Sequence, residues 1–201
     1  MDMDVFLAGV SLVLAIASYA LYIRNMTLGL SKPHLVTWAI WAVLGAYMLA
    51  VQLAGGAGIG ALMTGVAALG AVVVLAYGLF HGGDKAVRKT DRVSILLVLA
   101  TFTLWITLDN PIASVICASA VFAVGFVPTF MKAYLRPREE TAITFFLNGT
   151  KFVIALMTLQ AFTPVTYIYP FVLVMLNYLF VAYLLWRRLV IPKTKLNKRR
   201  K

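Results

Sequence analysis

The chain has 201 residues, of which 62% are hydrophobic and 12% charged, and its formal net charge is +11. Soluble domains carry roughly 25% charged residues, and a soluble domain with this composition would expose much of its apolar surface. A cytosolic enzyme and a disordered protein are therefore excluded. The single cysteine, Cys117, excludes an internal disulfide framework and a multi-cysteine metal site. The composition predicts an all-α integral membrane protein.

Seven apolar segments approach the length of about 20 residues that a membrane-spanning helix needs. In chain order they are Val5–Ile23, His34–Ala54, Gly58–Phe80, Val93–Leu108, Pro111–Met131, Thr141–Phe162 and Val165–Trp186. Asp109, Asn110 and Pro111 separate the short fourth segment from the fifth, because Pro cannot continue a helix interior and Asn and Asp favour turns. We therefore favour seven spans over six, which would need one helix from Val93 to Met131.

The basic residues predict the orientation in the membrane. With an outer N-terminus, Lys and Arg fall in every inner loop and in the C-terminal tail, while the outer segments have none. Because positively charged loops stay in the cytoplasm, we expect the N-terminus outside and the C-terminus inside. The acidic start, with Asp2 and Asp4, lacks the basic region of a signal peptide, so we expect the first segment to remain as a span.

The two halves of the chain share one organisation. A shift of 104 positions aligns Lys32-Pro33 with Arg136-Pro137, and each pair precedes the second span of a three-span unit. Because three spans reverse the direction of the chain, the fourth span restores it, which predicts two parallel three-helix bundles joined by a linker helix. The predicted divisions are a first bundle (1–80), a basic inner loop and linker helix (81–110), a second bundle (111–187) and a basic cytosolic tail (188–201).

This layout resembles the PQ-loop superfamily, which includes the SWEET sugar transporters and the half-size SemiSWEETs. The closest local match is Pro128-Thr129-Phe130, followed by a basic loop and Glu140, which is similar to the element that ends the first helix of a SWEET bundle. Asn177, in the seventh span, resembles the Asn of the third helix of such a bundle. The resemblance implies a transporter that alternates access by rocking one bundle against the other.

The chain also departs from that family. The Pro-Gln pair is absent, because His34 follows Pro33 and Arg138 follows Pro137. Val73 stands where the repeat would place a mate for Asn177. The paired asparagines of a sugar pocket are therefore reduced to one, and the resemblance supports the fold more than the substrate.

Lys151 is the most informative single residue. It lies near the middle of the sixth span, about ten residues from either end, where a Lys costs about 2.5–3.5 kcal/mol on insertion scales. No Asp or Glu lies within a span at that depth. We therefore expect Lys151 to face a wet cavity, an anionic ligand or backbone carbonyls, or to be neutral through desolvation. The functional interpretation is a substrate or proton-coupling site, and the alternative is a Lys hydrated in a vestibule without a specific ligand.

Five other side chains are candidates for the same site. Asn148 shares a helix face with Lys151, Asn177 lies at about the same depth, and the repeat places Tyr47 across the cavity from Lys151. The repeat also pairs Trp41 with Phe145, which would stack on a ring or form a gate. The alternatives are an interhelical hydrogen bond for each Asn and plain packing for the aromatic residues. The predicted substrate-binding residues are thus Lys151, Asn148, Asn177, Tyr47, Trp41 and Phe145.

Pro33, Pro128 and Pro137 lie at the inner ends of helices, where the resemblance implies a set of hinges. The alternative is that they mark ordinary helix starts and stops. Pro128 falls inside its span and leaves one backbone carbonyl without a donor, which favours a kink there.

The leading functional hypothesis is a SWEET-like transporter of a small polar, anionic solute. The alternatives are a non-transporting receptor or scaffold of the same superfamily and a neutral sugar transporter. The spans contain no nucleophile–base pair, carboxylate dyad or metal cluster, so we expect no enzymatic activity, cofactor or metal.

The expected partners are the lipid bilayer, a small-molecule solute and anionic lipid at the basic tail. Nucleic acid is not expected, and a homo-oligomer stays open. The expected location is the inner (plasma) membrane of a bacterium, as a multi-pass protein.

Overall fold

The computed structural model describes residues 3–87, 89–107, 110–135, 137–138 and 140–191, apart from the side chains of Thr90, Trp105, Pro128 and Lys132. Its α-helices are α1 (Met3–Thr27), α2 (Leu35–Ala54), α3 (Leu62–Phe80), α4 (Lys89–Ile106), α5 (Pro111–Leu135), α6 (Ala142–Met157) and α7 (Pro164–Val190). A 3-10 turn, Gly58–Ala61, leads directly into α3.

Five segments of the described chain are long and apolar enough to cross a membrane: α1, α2, Gly58–Phe80, α5 and α7. The expected all-α membrane character is thereby confirmed at this level. The other two helices are shorter or more polar. The apolar α6 has 16 residues, and the first turn of α4 contains Lys89, Asp91 and Arg92.

Helix α6 ends earlier than the sequence predicts, at Met157 rather than at Phe162. The backbone N–H groups of Gln160 and Ala161 donate hydrogen bonds of 3.2 and 3.1 Å to carbonyls of another loop. The acceptors belong to residues 56 and 57, which follow α2. Because these N–H groups donate to a second loop, they do not form the hydrogen bonds that would continue α6. The residues that follow Met157 therefore form a loop.

The helices pack in two sets of three. Helix α3 contacts both α1 and α2, and α7 contacts both α5 and α6. The sets meet where α1 packs along α6 and where α2 packs on α5. Helix α4 lies outside this arrangement, against α5 and α2.

The connections between helices define two ends of the molecule. The basic end comprises residues 28–34, 81–87, 137–138 and 140–141 together with the last turn of α7. The opposite end comprises residues 55–57 and 158–163. At the basic end the loops are tied to one another, since Leu35 N–H donates to Asp84 O and Asp84 N–H donates to Pro33 O, both at 2.8 Å.

Each proline-containing loop is hydrogen-bonded at, or shortly after, the C-terminal end of the third helix in its own set. The carbonyl of Pro33 accepts from Asp84, which follows α3, and the carbonyl of Pro137 accepts from Nε of Arg188, in α7, at 3.0 Å. Both prolines are buried. Pro33 and Pro137 both lie in loops, before the first residues of α2 and α6, and their role as hinges stays a prediction. Pro128 lies within α5, its side chain is outside the described part, and its role as a hinge stays a prediction.

The predicted start of the basic tail is corrected by the structure. Helix α7 continues to Val190, and its last turn holds the α5–α6 connection. Arg187 Nη2 donates to the carbonyl of Tyr134 at 2.8 Å, and Arg188 Nη2 donates to the carbonyl of Glu140 at 2.6 Å. Arg188, the first residue of the predicted tail, therefore belongs to the folded helix with Arg187. Residues 192–201, which contain the rest of the predicted lipid-binding tail, lie outside the described residues.

A close approach of α1 to α3 depends on Gly70. A Cβ at this position would lie 2.1 Å from Cζ of Tyr19, and the Tyr19 hydroxyl donates to the carbonyl of Ala67 at 3.0 Å. We expect Gly70→Val to lower the free energy of unfolding by about 1–3 kcal/mol, because it forces a well-packed ring out of place. Gly9→Val is the matched control, since a Cβ at Gly9 meets nothing within 4 Å. Thermal unfolding in detergent tests this, and equal midpoints for the two variants would contradict it.

Candidate functional site

A cavity of about 570 Å³ lies between the two sets of helices. It reaches the surface at the basic end, where the exposed loop residues Leu30 and Lys32 line it. Its floor lies near the middle of the helices and is formed by Lys151, Tyr169 and Leu173. None of the described residues in 46–66 or 153–168 lines it. The cavity is therefore a funnel that is open at the basic end and closed toward the opposite end.

One face of α6 supplies the polar side of the cavity. Thr144, Asn148 and Lys151 all line it, and their spacing of four and three residues places them in one row on a helix. Phe145 and Phe152 stand beside this row and also line the cavity. The same face is thus polar along its centre and aromatic along its edge.

Lys151 is only 1% exposed, and its Nζ has no hydrogen-bond partner among the described residues. Nζ lies 4.8 Å from the ring centroid of Tyr19 and 5.1 Å from that of Phe152. Contact of a desolvated cation with an aromatic face is worth about 2 kcal/mol, against an insertion cost of about 2.5–3.5 kcal/mol. The rings therefore offset part of the cost, and an anion in the cavity would supply the rest.

The backbone around Lys151 is fixed by α1. The hydroxyl of Ser11 donates to the carbonyl of Lys151 at 2.9 Å. Both residues lie where α1 packs along α6. The position of Lys151 is thus set by the contact between the two sets of helices.

Three buried oxygen atoms belong to residues that line the same cavity as Lys151. Asn177 is 2% exposed, and its Nδ2 donates to the carbonyl of Leu173 at 2.8 Å. This bond assigns the amide orientation and leaves Oδ1 without a partner in the part of the chain that the structure describes. The same holds for Oδ1 of Asn148 and Oγ1 of Thr144. Because each unsatisfied buried polar group costs about 1–3 kcal/mol, this cluster favours a polar ligand or water.

Aromatic rings form the wall between the floor and the mouth. Trp41 stacks on Phe122 with 4.9 Å between ring centroids. Phe126 lies 6.1 Å from both Trp41 and Phe145. The predicted pair of Trp41 and Phe145 thus lines one cavity, with Phe126 between them.

The mouth carries both signs of charge. Lys32, His34, Asp84 and Glu140 line it. His34 Nε2 lies 3.4 Å from Oδ2 of Asp91, which joins the start of α2 to the start of α4. A solute entering from the basic end therefore passes a polar rim before it reaches the aromatic wall.

The opposite end is closed by contacts between the two sets of helices. The side chain of Gln52, in α2, donates to the carbonyl of Thr166, in α7, at 2.9 Å. A Cβ at Gly60 would lie 2.8 Å from Cδ2 of Leu159, so these segments meet without a gap. Together with the backbone bonds between residues 56–57 and 160–161, these contacts seal the floor.

The structure places Tyr47 elsewhere than the repeat predicts. Its hydroxyl donates to the carbonyl of Thr101, in α4, at 3.1 Å and contacts the hydroxyl of Ser114, in α5. Its ring packs on Phe102 with 4.4 Å between centroids. Tyr47 is therefore not among the cavity residues. The side chain points toward α4, which has no counterpart in the other half of the chain.

We expect Tyr47→Phe to leave solute binding unchanged and to lower the free energy of unfolding by about 1 kcal/mol, the value of a typical buried hydrogen bond. Thermal unfolding and ligand titration of the same preparation measure both effects. Asn177→Leu is the comparison variant, because it removes an oxygen that faces the cavity. Loss of solute binding in Tyr47→Phe would contradict this prediction and assign Tyr47 to the binding site.

Sequence reasoning missed most of the residues that line the cavity, and Thr144, Tyr19 and Tyr169 show why. Thr144 was detectable from its spacing to Asn148 and Lys151, which repeats the helical period. Tyr19 and Tyr169 carry no comparable signal, because neither stands at the helical spacing of three or four residues from other predicted site residues. Only the packing of α1 and α7 against α6 brings their rings to the floor.

Comparisons of the chain with models of protein families, with curated proteins and with solved structures give no match in any of the three.

Proposed function

We propose that the protein is a membrane transporter for a small polar solute that carries an anionic group. The observation that carries the proposal is the half-open cavity with the buried ammonium group of Lys151 at its floor. Ligand sites of transporters commonly lie near the bilayer midplane between repeated units. A channel would need a continuous path, whereas the cavity ends at the floor.

The architecture in this proposal is SWEET-like. Helices α1–α3 and α5–α7 form two parallel three-helix bundles, and α4 is the linker helix. The contacts support this interpretation, because the pairs α1–α6 and α2–α5 are the ones that a two-fold relation between the bundles would exchange. Rocking of one bundle against the other would open the opposite end and close the basic end.

All seven helices cross the membrane in this proposal, with the N-terminus outside and the C-terminus inside. The inner side then holds the basic loops, and the cavity opens to the cytosol of a bacterial inner membrane. A short α6 is compatible with a span, because the loop after it completes the width of the membrane. A C-terminal reporter that is active only in the cytosol tests the orientation, and an inactive fusion that is stably expressed would reverse it.

The anionic character of the solute follows from the charges around the floor. Among the described residues that line the cavity, Asp84 and Glu140 lie at the mouth, and Lys151 lies alone at the floor. A neutral sugar would supply hydrogen bonds and leave the buried charge uncompensated. A carboxylate supplies both.

Uptake into proteoliposomes tests the proposal. Radiolabelled carboxylates, amino acids and hexoses are offered to vesicles that contain wild-type protein or Lys151→Met. We expect uptake of a carboxylate-bearing solute by wild type and its loss in the variant. Hexose uptake that the variant retains would favour the neutral sugar transporter. Saturable binding without uptake of any solute would favour the receptor or scaffold alternative.

A further inference from the structure

We propose that the solute is an aromatic carboxylate with an N–H or O–H donor beside the carboxyl group, such as an aromatic α-amino or α-hydroxy acid. This inference rests on the proposed role of Lys151 as an anion site and adds the chemistry of the rest of the solute. Three features of the cavity support it. They are the donor Nζ of Lys151 at the floor, the unpaired acceptor oxygens that line the same cavity, and the aromatic wall between floor and mouth.

The floor provides both a donor and acceptors, each without a partner among the described residues. Nζ of Lys151 is a donor only, so it requires an acceptor from the solute. Oδ1 of Asn177 is an acceptor only, because the amide nitrogen already donates to Leu173. Oδ1 of Asn148 adds a further acceptor position about one turn of α6 from Lys151, and Oγ1 of Thr144 lies about two turns from Lys151, toward the mouth. A solute that satisfies this floor must offer an anionic acceptor and at least one donor.

This requirement separates the classes of small anion. A simple carboxylate would satisfy Lys151 and leave Asn177 Oδ1 facing an apolar group. A dicarboxylate would set a second anion against that oxygen. A carboxylate with an adjacent ammonium or hydroxyl group satisfies both, because its donor lies within a few atoms of its acceptors. An unpaired buried acceptor is the penalty by which such sites reject analogues that lack the donor.

The wall specifies the other part of the solute. Tyr22, Trp38, Trp41 and Phe122 all line the cavity above the floor. Successive ring centroids along this series are 5.1, 5.2 and 4.9 Å apart, so the rings form one continuous surface from α1 to α5. A solute whose polar end binds Lys151 would place its side group against this surface. Aromatic side groups gain from such contact beyond the area they bury.

The volume agrees with this assignment. A cavity of about 570 Å³ falls within the roughly 300–1,000 Å³ of small-molecule sites. It has room for a carboxylate, a donor group and one ring together with water.

A matched series of ligands tests the inference by direct binding to purified protein in detergent, by calorimetry. L-phenylalanine and phenyllactate carry all three features and differ only in the donor. Phenylpropionate lacks the donor, phenethylamine lacks the carboxylate, and alanine and lactate lack the ring. Glucose represents the neutral sugars. We expect at least one of the first two ligands to bind at least about tenfold more tightly than every ligand that lacks a feature.

Two variants assign the features to residues. Asn177→Leu is expected to bind phenylpropionate and phenylalanine or phenyllactate equally, because the acceptor that discriminates them is gone. Trp41→Leu is expected to reduce the preference for phenylalanine over alanine, or for phenyllactate over lactate. Thr150→Val is the control on α6, since Thr150 bonds to Phe146 and Tyr178 rather than lining the cavity. Equal melting temperatures show that each variant is folded.

The outcomes separate this inference from the proposed function. Tightest binding of phenylpropionate, alanine, lactate or glucose would overturn the inferred ligand class, whether or not the protein transports solutes. No binding of any ligand in the series would also overturn it. Tight binding of phenylalanine or phenyllactate without uptake into vesicles would support the ligand class and overturn the transporter.

Discussion

Lys151→Met is expected to abolish solute binding and, at the same time, to stabilise the protein. Met has a similar shape and removes an ammonium group that has no hydrogen-bond partner in the described structure. We expect the free energy of unfolding to rise by about 1 kcal/mol, because the burial cost of about 2.5–3.5 kcal/mol is removed together with the gain of about 2 kcal/mol from the ring contacts. Binding of the solute is expected to weaken by about 100-fold or more, because a desolvated ion pair is lost. Thermal unfolding and ligand titration on one preparation measure both effects.

The opposite signs of the two effects make this prediction specific. A Lys that served packing alone would leave both stability and binding unchanged in the variant, because Met fills the same space. A hydrated Lys without a ligand would likewise leave binding unchanged. Thr150→Val is the control at the neighbouring position, where neither binding nor cavity contacts are expected to change. A destabilised Lys151→Met protein with wild-type affinity would contradict the assignment of Lys151 to the site. Such a trade-off between stability and function is common where a site retains an unfavourable group.

A disulfide across the opposite end is expected to stop transport and to leave binding intact. Ala161 Cβ lies 3.3 Å from the Cβ that a side chain at residue 56 would have, close to the roughly 3.5–4.5 Å of disulfides. The protein Gly56→Cys/Ala161→Cys would therefore form this bond in a Cys117→Ser background. Because alternating access requires these loops to separate, uptake is expected to fall at least about tenfold on oxidation. The cavity stays open at the basic end, so solute affinity is expected to hold.

Reduction of the disulfide and the two single variants complete the experiment. Uptake is expected to return on reduction. Gly56→Cys alone measures how much uptake changes when a side chain is placed at residue 56 without a disulfide. This control is needed because Gly56 has a φ of +79°, where a side chain costs about 1–2 kcal/mol. Full uptake by the oxidised double variant would show that the opposite end need not open, and would refute alternating access between these bundles.

The sequence predicted the helices better than it predicted the contacts between them. The apolar segments, the turn at Asn110-Pro111 and the proline-containing loops lie where hydropathy and turn chemistry predict them. Helix α6 is the exception. Its apolar residues continue to Phe162, but the backbone of Gln160 and Ala161 binds to another loop. Hydropathy measures the cost of exposing a side chain to water. It does not indicate which carbonyl a backbone N–H will bond to, and that choice decides where α6 ends.

The candidate site shows the same division. A central Lys and a helical row through Asn148 are visible in the sequence, because burial cost and the period of a helix are local properties. The place of Tyr47 is not, since a repeat aligns positions along helices and leaves open which neighbour a side chain meets. Helix α4 has no counterpart in the other half of the chain, and its Thr101 carbonyl accepts the hydrogen bond from the Tyr47 hydroxyl.

The sequence by itself determined that the protein is an all-α membrane protein with a Lys near the middle of an apolar segment, where a charge is costly. These properties depend on composition and on spacing along one helix. Only the tertiary structure decided that Lys151 lies at the floor of a half-open cavity, which unpaired oxygens and aromatic rings also line. Such a cavity depends on how six helices leave space between them, and that space is set by packing across long separations in the chain.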